Sequence, residues 1–166
     1  MRMFVSLGSN IEPERNLRRA VRELGARFTL VAVSRVYRTA PVGDPDQPDF
    51  WNLAAELASD LPPDEVQRRL REIETDLGRT RDARRPLGPR TVDLDLVLVT
   101  GVAGRFGDLQ LPSPLVEREA FVAVPLAELA PELRPGAGSA TLSEIARAAL
   151  SSSARAPEPL AVEVVP

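Results

Sequence analysis

Two kinds of hydrophobic spacing alternate along this chain, and their order limits the folds that it can adopt. Apolar residues at alternate positions or in short runs predict strands, whereas apolar residues three or four positions apart predict helices. The predicted elements, in order, are a strand at 3–7, a helix at 13–25, strands at 28–37 and 50–57, a helix at 60–78 and a strand at 92–99. Short helices are further predicted within 121–129 and 142–150.

The order strand, helix, strand, strand, helix, strand is that of the split βαββαβ arrangement. We therefore expect an α+β protein with a ferredoxin-like core, additional C-terminal helices and a small extra hairpin. Residues 1–150 are expected to form a single domain, and residues 151–166, which are rich in Ser, Ala and Pro, a loosely held tail. Because one fold can host many functions, this core predicts none by itself.

The side-chain inventory excludes several classes of mechanism. The sequence contains no Cys and no His, and its 21 basic residues are all Arg because Lys is absent as well. Catalysis by Cys, Ser-His or Lys nucleophiles, zinc sites built from Cys or His, and the P-loop lysine therefore all lack their residue. The remaining carboxylate, guanidinium, amide and hydroxyl groups suit phosphoryl-type transfer, which relies on positioning and charge neutralisation.

Charge and hydropathy limit the partners of the chain. The formal net charge of −3 argues against a general nucleic-acid binder. The stretch 68–90 is nevertheless rich in arginine, so RNA binding is retained as the weakest alternative, with salt-sensitive affinity as its signature. The sequence shows neither a signal-peptide pattern nor an apolar run of membrane length, so we expect a cytoplasmic protein without membrane partners. We also expect a monomer.

The most informative motif is the segment 88–97, in which Asp93 and Asp95 lie two residues apart in a predicted strand. Side chains alternate between the faces of a strand, so both carboxylates point the same way, and the even positions from 92 to 98 form an apolar face. Two carboxylates held together suit a hard divalent cation such as magnesium. A solvated acidic pair is the alternative, although adjacent acids repel each other unless a cation neutralises them.

Arginines surround this acidic pair. Arg90 precedes it, while Arg79 and Arg81 follow the end of the second predicted helix in a basic loop, 79–89, that we expect to be mobile. A loop of this kind can close over a phosphate chain, although a solvated surface is the commoner fate of arginine runs. A nucleoside triphosphate with bound magnesium would satisfy the carboxylates and the arginines together.

The other half of a site is predicted at the start of the third strand. Phe50 and Asn52 share one face of that strand, so a flat heteroaromatic ring could stack on Phe50 while Asn52 hydrogen-bonds to its edge. The alternative is that Phe50 is a core residue, which is the role that we expect for Trp51.

With these motifs assembled, the chain closely resembles the 6-hydroxymethyl-7,8-dihydropterin pyrophosphokinase family from Gly8 to about Pro131. The resemblance implies transfer of pyrophosphate from ATP to the pterin alcohol, with release of AMP, in folate biosynthesis. The matching motifs are Tyr37-Arg38-Thr39, Asp46-Gln47-Pro48-Asp49-Phe50-Trp51-Asn52, Glu74 with Leu77-Gly78-Arg79-Thr80-Arg81, the segment 88–96, and Phe121 with Pro125-Leu126-Ala127-Glu128-Leu129-Ala130-Pro131.

The resemblance also implies roles for individual residues. Asp93 and Asp95 would bind two magnesium ions that bridge the ATP phosphates. Arg79, Arg90 and Asp95 would be catalytic, with Asp95 as the candidate base. The ATP-binding residues would be Arg71, Glu74, Arg79, Arg81, Arg90 and Leu96, and the pterin-binding residues Thr39, Val42, Phe50, Asn52 and Phe121, with the ring between the two phenylalanines.

Three positions depart from the pattern of the family. Ser113 stands where the family usually has His, Glu119 where it commonly has Arg, and Leu87 where a Trp is often found. All three changes fall on the nucleotide side of the implied site. A pterin-binding homologue with impaired or no ATP-dependent catalysis is therefore the alternative function.

Overall fold

The computed structural model describes residues 1–80 and 83–164, and in these residues helices cover both faces of a central sheet. The elements are β1 (Arg2–Ser9), α1 (Pro13–Arg27), β2 (Thr29–Val33), β3 (Tyr37–Thr39), β4 (Phe50–Ala58), α2 (Pro63–Asp76), β5 (Asp93–Val99), β6 (Gly104–Phe106), β7 (Leu109–Leu111), α3 (Leu115–Arg118), α4 (Ala120–Leu129), α5 (Leu142–Ser152) and β8 (Glu158–Pro159). The fold is thus a mixture of helices and sheet, as predicted.

The central sheet is antiparallel. β1 pairs with β5 on one side and with β4 on the other, and β4 pairs in turn with β2 and β3. The short strands β6 and β7 form a separate hairpin. The order β5-β1-β4-β3 brings the first strand of the chain beside the strand that carries Asp93 and Asp95.

The two faces of the sheet bury different helices. α1 and α2 cover one face, on which Leu17 and Leu70 are fully buried. α4 and α5 cover the other, where Val122 and Leu142 pack in the same cluster as Phe4. Among the described residues, no helix is both long and apolar enough to cross a membrane.

β5 does not keep one apolar face along its whole length. Its pairing with β1 shifts, so that Phe4 lies opposite Leu98 while Val5 lies opposite Leu96. Val97 is the extra residue of this β-bulge, and a bulge rotates the residues that follow it. Leu96 packs against the α1 and α2 core, whereas Leu98 packs on the opposite face. The predicted apolar face of even positions is therefore wrong at Leu98.

The strand predicted over 28–37 is in fact two short strands, β2 and β3. Between them, the N–H of Ser34 donates to the carbonyl of Ala54 (2.9 Å), and the Ser34 hydroxyl accepts from the N–H of Ala54 (2.9 Å). A side chain thus replaces a backbone partner, and the regular ladder is interrupted. The segment is also less buried than predicted, because Val31 is 55% exposed.

Two predicted helix boundaries also differ from the structure. α1 includes Gly25 and continues to Arg27, which is held by Glu23 one turn earlier (3.1 Å) and by Asp76 (2.6 Å). α2 begins at Pro63 rather than at Asp60, and no side chain caps it. Proline suits a first helical position because its missing N–H would have had no helical partner there.

The described end of the chain is attached to the fold, in contrast to the loosely held tail predicted for it. β8 pairs with β3, and the N–H of Leu160 donates to the carbonyl of Val36 (2.9 Å). Val164 is only 5% exposed and belongs to the core on the α1 and α2 face. The chain therefore continues from α5 around the β3 edge of the sheet to the opposite face.

Candidate active site

A cleft of about 280 Å³ opens over one end of the sheet. Its floor follows the strand register, since Gly8 of β1 lies opposite both Asp93 of β5 and Asn52 of β4, and Ser6 lies opposite Asp95. The start of α4 and the loops after β3 and before β5 form its walls. The cleft thus contains both the acidic pair and the polar residue predicted for the second half-site.

Asp93 and Asp95 both line the cleft, on the side of β5 that faces away from the α1 and α2 core. Each carboxylate oxygen of Asp93 accepts a hydrogen bond from a different guanidinium, Oδ1 from Arg79 and Oδ2 from Arg90. Burial disfavours the charged form, but the two arginines outweigh it and hold the pKa of Asp93 below its usual range. Asp93 is therefore an ionised anchor for positive groups.

Glu74 binds the same nitrogen of Arg79, Nη1, that binds Asp93. Its Oε1 accepts from the Arg79 guanidinium and from the N–H of Leu94 (2.8 Å), and its side chain is 4% exposed. Burial, to which the negative charge of Asp93 adds, raises the pKa of Glu74 to about 7. A single buried guanidinium thus joins two carboxylates, one of which gains a proton near neutral pH.

Glu74 should make the stability of the ligand-free protein fall as the pH rises toward neutrality. A carboxyl group with a pKa of about 7 when folded, against an ordinary 4.5, binds more protons in the folded state between these values. The lowered pKa of Asp93 acts in the opposite sense, and only below about pH 4. We expect Glu74→Gln to flatten the fall in unfolding free energy between pH 5 and pH 7.5, as measured by urea denaturation. A pH dependence identical to that of the wild type would contradict this assignment.

Asn10 ties together the two loops at the mouth of the cleft. Its Nδ2 donates to Oε1 of Gln47 (2.9 Å) and to the carbonyl of Pro48 (3.0 Å), while its Oδ1 accepts from the N–H of Arg90 (2.9 Å). Asn10 is only 5% exposed. Sequence reasoning missed this role, since only the position of Asn10 after a predicted strand signalled it.

The residues predicted for pterin binding meet at the other end of the cleft. Asn52 Nδ2 donates to the hydroxyl of Thr39 (2.6 Å), and both residues are buried. Phe50, Val42 and Phe121 also line the cleft. The structure therefore brings together all five of the predicted residues, with two phenylalanines beside a hydrogen-bonding pair.

Arg90 connects the two halves of the cleft. Its guanidinium lies 5.7 Å from the centre of the Phe50 ring, within range of a cation–π interaction, while Nη1 binds Asp93. One side chain therefore touches both the acidic pair and the aromatic half of the cleft.

Gly8 lies where these halves meet, and sequence reasoning gave it no role in the site. A Cβ atom at this position would lie 2.8 Å from Oδ1 of Asn52, which is closer than real Cβ contacts. The only available signal was a glycine beside a strand pattern, which is typical of a close approach to the backbone. Gly8 keeps open the floor between the carboxylates and Asn52.

Glu128 fixes α4, and with it Phe121, to the sheet. Its carboxylate accepts from the hydroxyl of Tyr37 (2.7 Å) and from the N–H of Arg35 (3.0 Å). Burial and this carboxylate raise the pKa of the Tyr37 hydroxyl, which therefore remains a donor. The motif at 125–131 thus has a structural role that its sequence did not reveal.

Of the described residues assigned to ATP binding, only Arg90 lines the cleft. Arg79 and Glu74 are connected to it through the bond from Arg79 to Asp93, and the remaining two lie elsewhere. Leu96 is 1% exposed and packs on the opposite side of β5 from Asp95, as side-chain alternation requires, and its N–H donates to Oε1 of Gln67 (2.9 Å). Arg71 is exposed on α2 and is not part of the lining. Arg81 lies outside the described residues.

The basic loop before β5 is fastened to its surroundings, although the sequence predicted a mobile segment. Arg85 forms an ion pair with Asp44 (2.6 Å), and the carbonyl of Leu87 accepts from Nε2 of Gln47 (2.7 Å). These contacts hold the described part of the loop against the loop 40–49, on the far wall of the cleft.

The three departures from the family pattern occupy different environments. Leu87 and Glu119 line the cleft, so they can affect a ligand directly. Ser113 instead precedes α3, where its N–H donates to the carbonyl of Val97 (2.8 Å) and its hydroxyl accepts from the N–H of Leu115 (3.3 Å).

The acidic pair fits a cation that arrives with its own oxygen ligands. Among residues 1–80 and 83–164, no group of three or more Asp, Glu, His or Cys side chains could hold a metal ion. Magnesium commonly binds through one or two carboxylates together with water and substrate phosphates. Asp93 and Asp95 therefore suit magnesium bound to a phosphate chain better than a resident metal.

Comparison with known proteins supports the resemblance found in the sequence. A family model described as 7,8-dihydro-6-hydroxymethylpterin-pyrophosphokinase (HPPK) matches residues 4–131. The 2-amino-4-hydroxy-6-hydroxymethyldihydropteridine pyrophosphokinase of Bacillus subtilis is 41% identical over 140 residues, which cover 82% of this chain and 83% of that protein. The protein of the same name from Pseudomonas aeruginosa is 40% identical over 136 residues, covering 80% and 83%.

A solved structure shares the fold. Wild-type Plasmodium falciparum HPPK-DHPS aligns with a TM-score of 0.61 at 11% sequence identity, and the alignment covers 90% of this chain but 44% of that longer one. This likeness concerns the fold alone. The family match and the identity to full-length bacterial relatives show that the chain belongs to the 7,8-dihydro-6-hydroxymethylpterin-pyrophosphokinase family.

Proposed function

We propose that this chain transfers pyrophosphate from ATP to 6-hydroxymethyl-7,8-dihydropterin, releasing AMP, in folate biosynthesis. The observation that carries the proposal is the composition of the cleft. One end presents the Asp93 and Asp95 carboxylates with Arg90, and Arg79 binds Asp93 as well; the other end presents Asn52 and Thr39 beside two aromatic rings. A triphosphate and a flat heterocycle need these two environments side by side.

The reaction is an in-line displacement at phosphorus. The hydroxyl oxygen of the pterin attacks the β-phosphorus, the bond from that phosphorus to the oxygen of the α-phosphate breaks, and AMP leaves with the electron pair. The hydroxyl proton must also be taken up, and Asp95 is our candidate base because it lines the cleft beside Asp93. Two magnesium ions, held by Asp93 and Asp95 with ATP, would neutralise phosphate charge.

Arg79 and Arg90 have a second task in this mechanism. In the ligand-free protein they neutralise Asp93. Arg90 lines the cleft and Arg79 lies directly beside it, so both would transfer hydrogen bonds to phosphate oxygens when ATP binds. Glu74 would keep Arg79 in place during this exchange, because it is buried and also binds the Arg79 guanidinium. We thus assign Glu74 a supporting role on the ATP side.

The pterin half would recognise a ring by its edge and its faces. The Asn52 amide offers both a donor and an acceptor, and its orientation is fixed by the hydrogen bond to Thr39. Phe50 and Phe121, which line the cleft, would contact the ring faces, and Val42 would complete the apolar wall.

We further infer that the core is ferredoxin-like, because its strand order is β5-β1-β4-β3 and α1 and α2 lie on one face. Magnesium dependence, a monomeric state and a cytoplasmic location also remain predictions.

The pterin-binding homologue without ATP-dependent catalysis is less well supported. Leu87 and Glu119 in the cleft motivate it, but relatives with 40–41% identity are named as pyrophosphokinases. RNA binding is weaker still, since Arg68, Arg69 and Arg85 already pair with carboxylates.

Calorimetry separates the enzyme from the binding module. The protein is titrated with a non-hydrolysable ATP analogue and magnesium, and then with the pterin alcohol. We expect both ligands to bind, with no heat from the nucleotide when magnesium is replaced by a chelator. Pterin binding without any nucleotide binding at millimolar concentrations would favour the module.

Gly8→Ala should impair pterin use specifically. The added Cβ would lie 2.8 Å from Oδ1 of Asn52, so the amide has to move away from its bond with Thr39. We expect KM for the pterin to rise at least about 10-fold, since small misplacements of positioning groups are costly. Steady-state kinetics with each substrate varied in turn will check this. An unchanged KM for the pterin would show that Asn52 does not position the ring.

A further inference from the structure

The segment 153–164 lies beyond the residues 4–131 that match the family, and the mechanism above does not use it. It leaves α5 on one face of the sheet, passes the edge strand β3, and ends with Val164 buried on the other face. Leu160 and Val162 pack against the same core. The segment therefore crosses the edge of the sheet beside the loop 40–49.

One end of the loop 40–49 is fixed through β3. β8 pairs with β3 in a register that sets Glu158 opposite Arg38, and the side chains of this pair form an ion pair (2.5 Å). β3 ends at Thr39, the hydroxyl that orients Asn52, so the loop begins directly after a strand that β8 covers.

The other end of the same loop is fixed by Arg155. Its guanidinium binds the carboxylate of Asp49 through two hydrogen bonds, from Nη1 to Oδ1 (3.2 Å) and from Nη2 to Oδ2 (2.6 Å). Asp49 immediately precedes Phe50, whose ring lines the cleft. A paired, two-pronged contact restricts direction as well as distance.

We propose that residues 153–164 form a strap that fixes the loop 40–49, and that Arg155 is a positioning residue for the pterin half of the cleft. The strap holds the loop at both ends, and the loop carries Val42 to the cleft wall. Ordering a loop costs backbone entropy, so a loop that is already ordered binds its ligand at lower cost. The kinetic part of this proposal rests on the proposed function.

The test uses the full-length chain with Arg155→Glu, which sets two carboxylates against each other at Asp49. Arg147→Glu on an exposed turn of α5 is the matched control, because it makes the same change of charge away from the loop. The double variant Arg155→Glu with Asp49→Arg restores the ion pair in reverse. Amide hydrogen exchange of the loop 40–49 and the affinity and KM for the pterin are measured for all three variants, with kcat and KM for ATP alongside.

We expect Arg155→Glu to accelerate amide exchange in the loop 40–49. It should also lower the affinity for the pterin and raise KM for the pterin, each by about 5-fold, which corresponds to the free energy that an exposed ion pair contributes. KM for ATP and kcat should stay within about 2-fold, and the double variant should recover the pterin values. A merely structural role would lower the melting temperature without this split between substrates.

Unchanged exchange and unchanged pterin affinity in Arg155→Glu would overturn the strap. So would an equal effect of Arg147→Glu. Failure of the proposed function is a separate result, because it appears as the absence of AMP production by the wild type, whereas hydrogen exchange reports on the strap without any turnover.

Discussion

Asp93→Asn and Asp95→Asn should each lower kcat at least about 100-fold, the loss typical of removing one charged group that stabilises a transition state. Both side chains line the cleft from the same face of β5, and Asp93 is held ionised by Arg79 and Arg90. An amide keeps the size of the side chain but removes the negative charge that a cation needs. Steady-state rates of AMP release at saturating substrates measure the loss.

The acidic pair and the pterin half should respond separately to these changes. Because Asn52 and Thr39 form their own hydrogen bond, pterin affinity in the Asn variants should stay within a few-fold of the wild type by calorimetry. Asp108→Asn, at an exposed turn between β6 and β7, is the matched control and should leave kcat unchanged. Near-full activity of either cleft variant would refute the cation site.

Arg79→Ala should be the most destabilising single change in or beside the cleft, with a loss of about 3 kcal/mol in unfolding free energy at pH 7.5. Arg79 is 9% exposed and neutralises Glu74 and Asp93, whose side chains are 4% and 24% exposed. Without it, Glu74 is left beside another carboxylate in a buried site. Since Glu74 gains a proton near pH 7, the loss should shrink at pH 5. Urea denaturation of the wild type and the variant measures the loss of unfolding free energy at each of the two pH values.

A compensating variant separates stability from catalysis. Arg79→Met combined with Glu74→Gln removes one positive and one negative charge together, so most of the lost stability should return. Catalysis should not return, because the guanidinium that meets the phosphates remains absent. Arg85→Ala is the control, since its exposed pair with Asp44 should contribute less than about 1 kcal/mol. Equal destabilisation by Arg85→Ala and Arg79→Ala would show that the buried ion pairs of Arg79 contribute no more to stability than an exposed ion pair does.

The sequence predicted those parts of the site that depend on local pattern. Asp93 and Asp95 share a face because alternation in a strand is geometric, and Phe50 and Asn52 share one for the same reason. Alternation also places the Leu96 side chain on the opposite face of β5 from Asp93 and Asp95, although the resemblance assigned Leu96 to ATP binding. The bulge at Val97 interrupts this alternation, and no residue type in β5 indicates a bulge at that position.

The residues that sequence reasoning missed act through long-range contacts. Asn10 bonds to Gln47 and to Arg90, which is 80 positions away. Gly8 matters only because β4 brings Asn52 beside it. The attachment of residues 153–164 depends on an edge strand, β3, that accepts one more partner. Such roles depend on tertiary register, which spacing along the chain does not contain.

If this cleft moves a pyrophosphoryl group, the nucleotide product of the reaction must be AMP and not ADP. The wild-type protein is incubated with ATP, magnesium and 6-hydroxymethyl-7,8-dihydropterin, and the nucleotides are separated by chromatography while ³¹P NMR follows the pterin. We expect AMP in an amount equal to that of a pterin product with two phosphorus signals. Formation of ADP with a single phosphorus on the pterin, or no nucleotide consumption at saturating substrates, would contradict it.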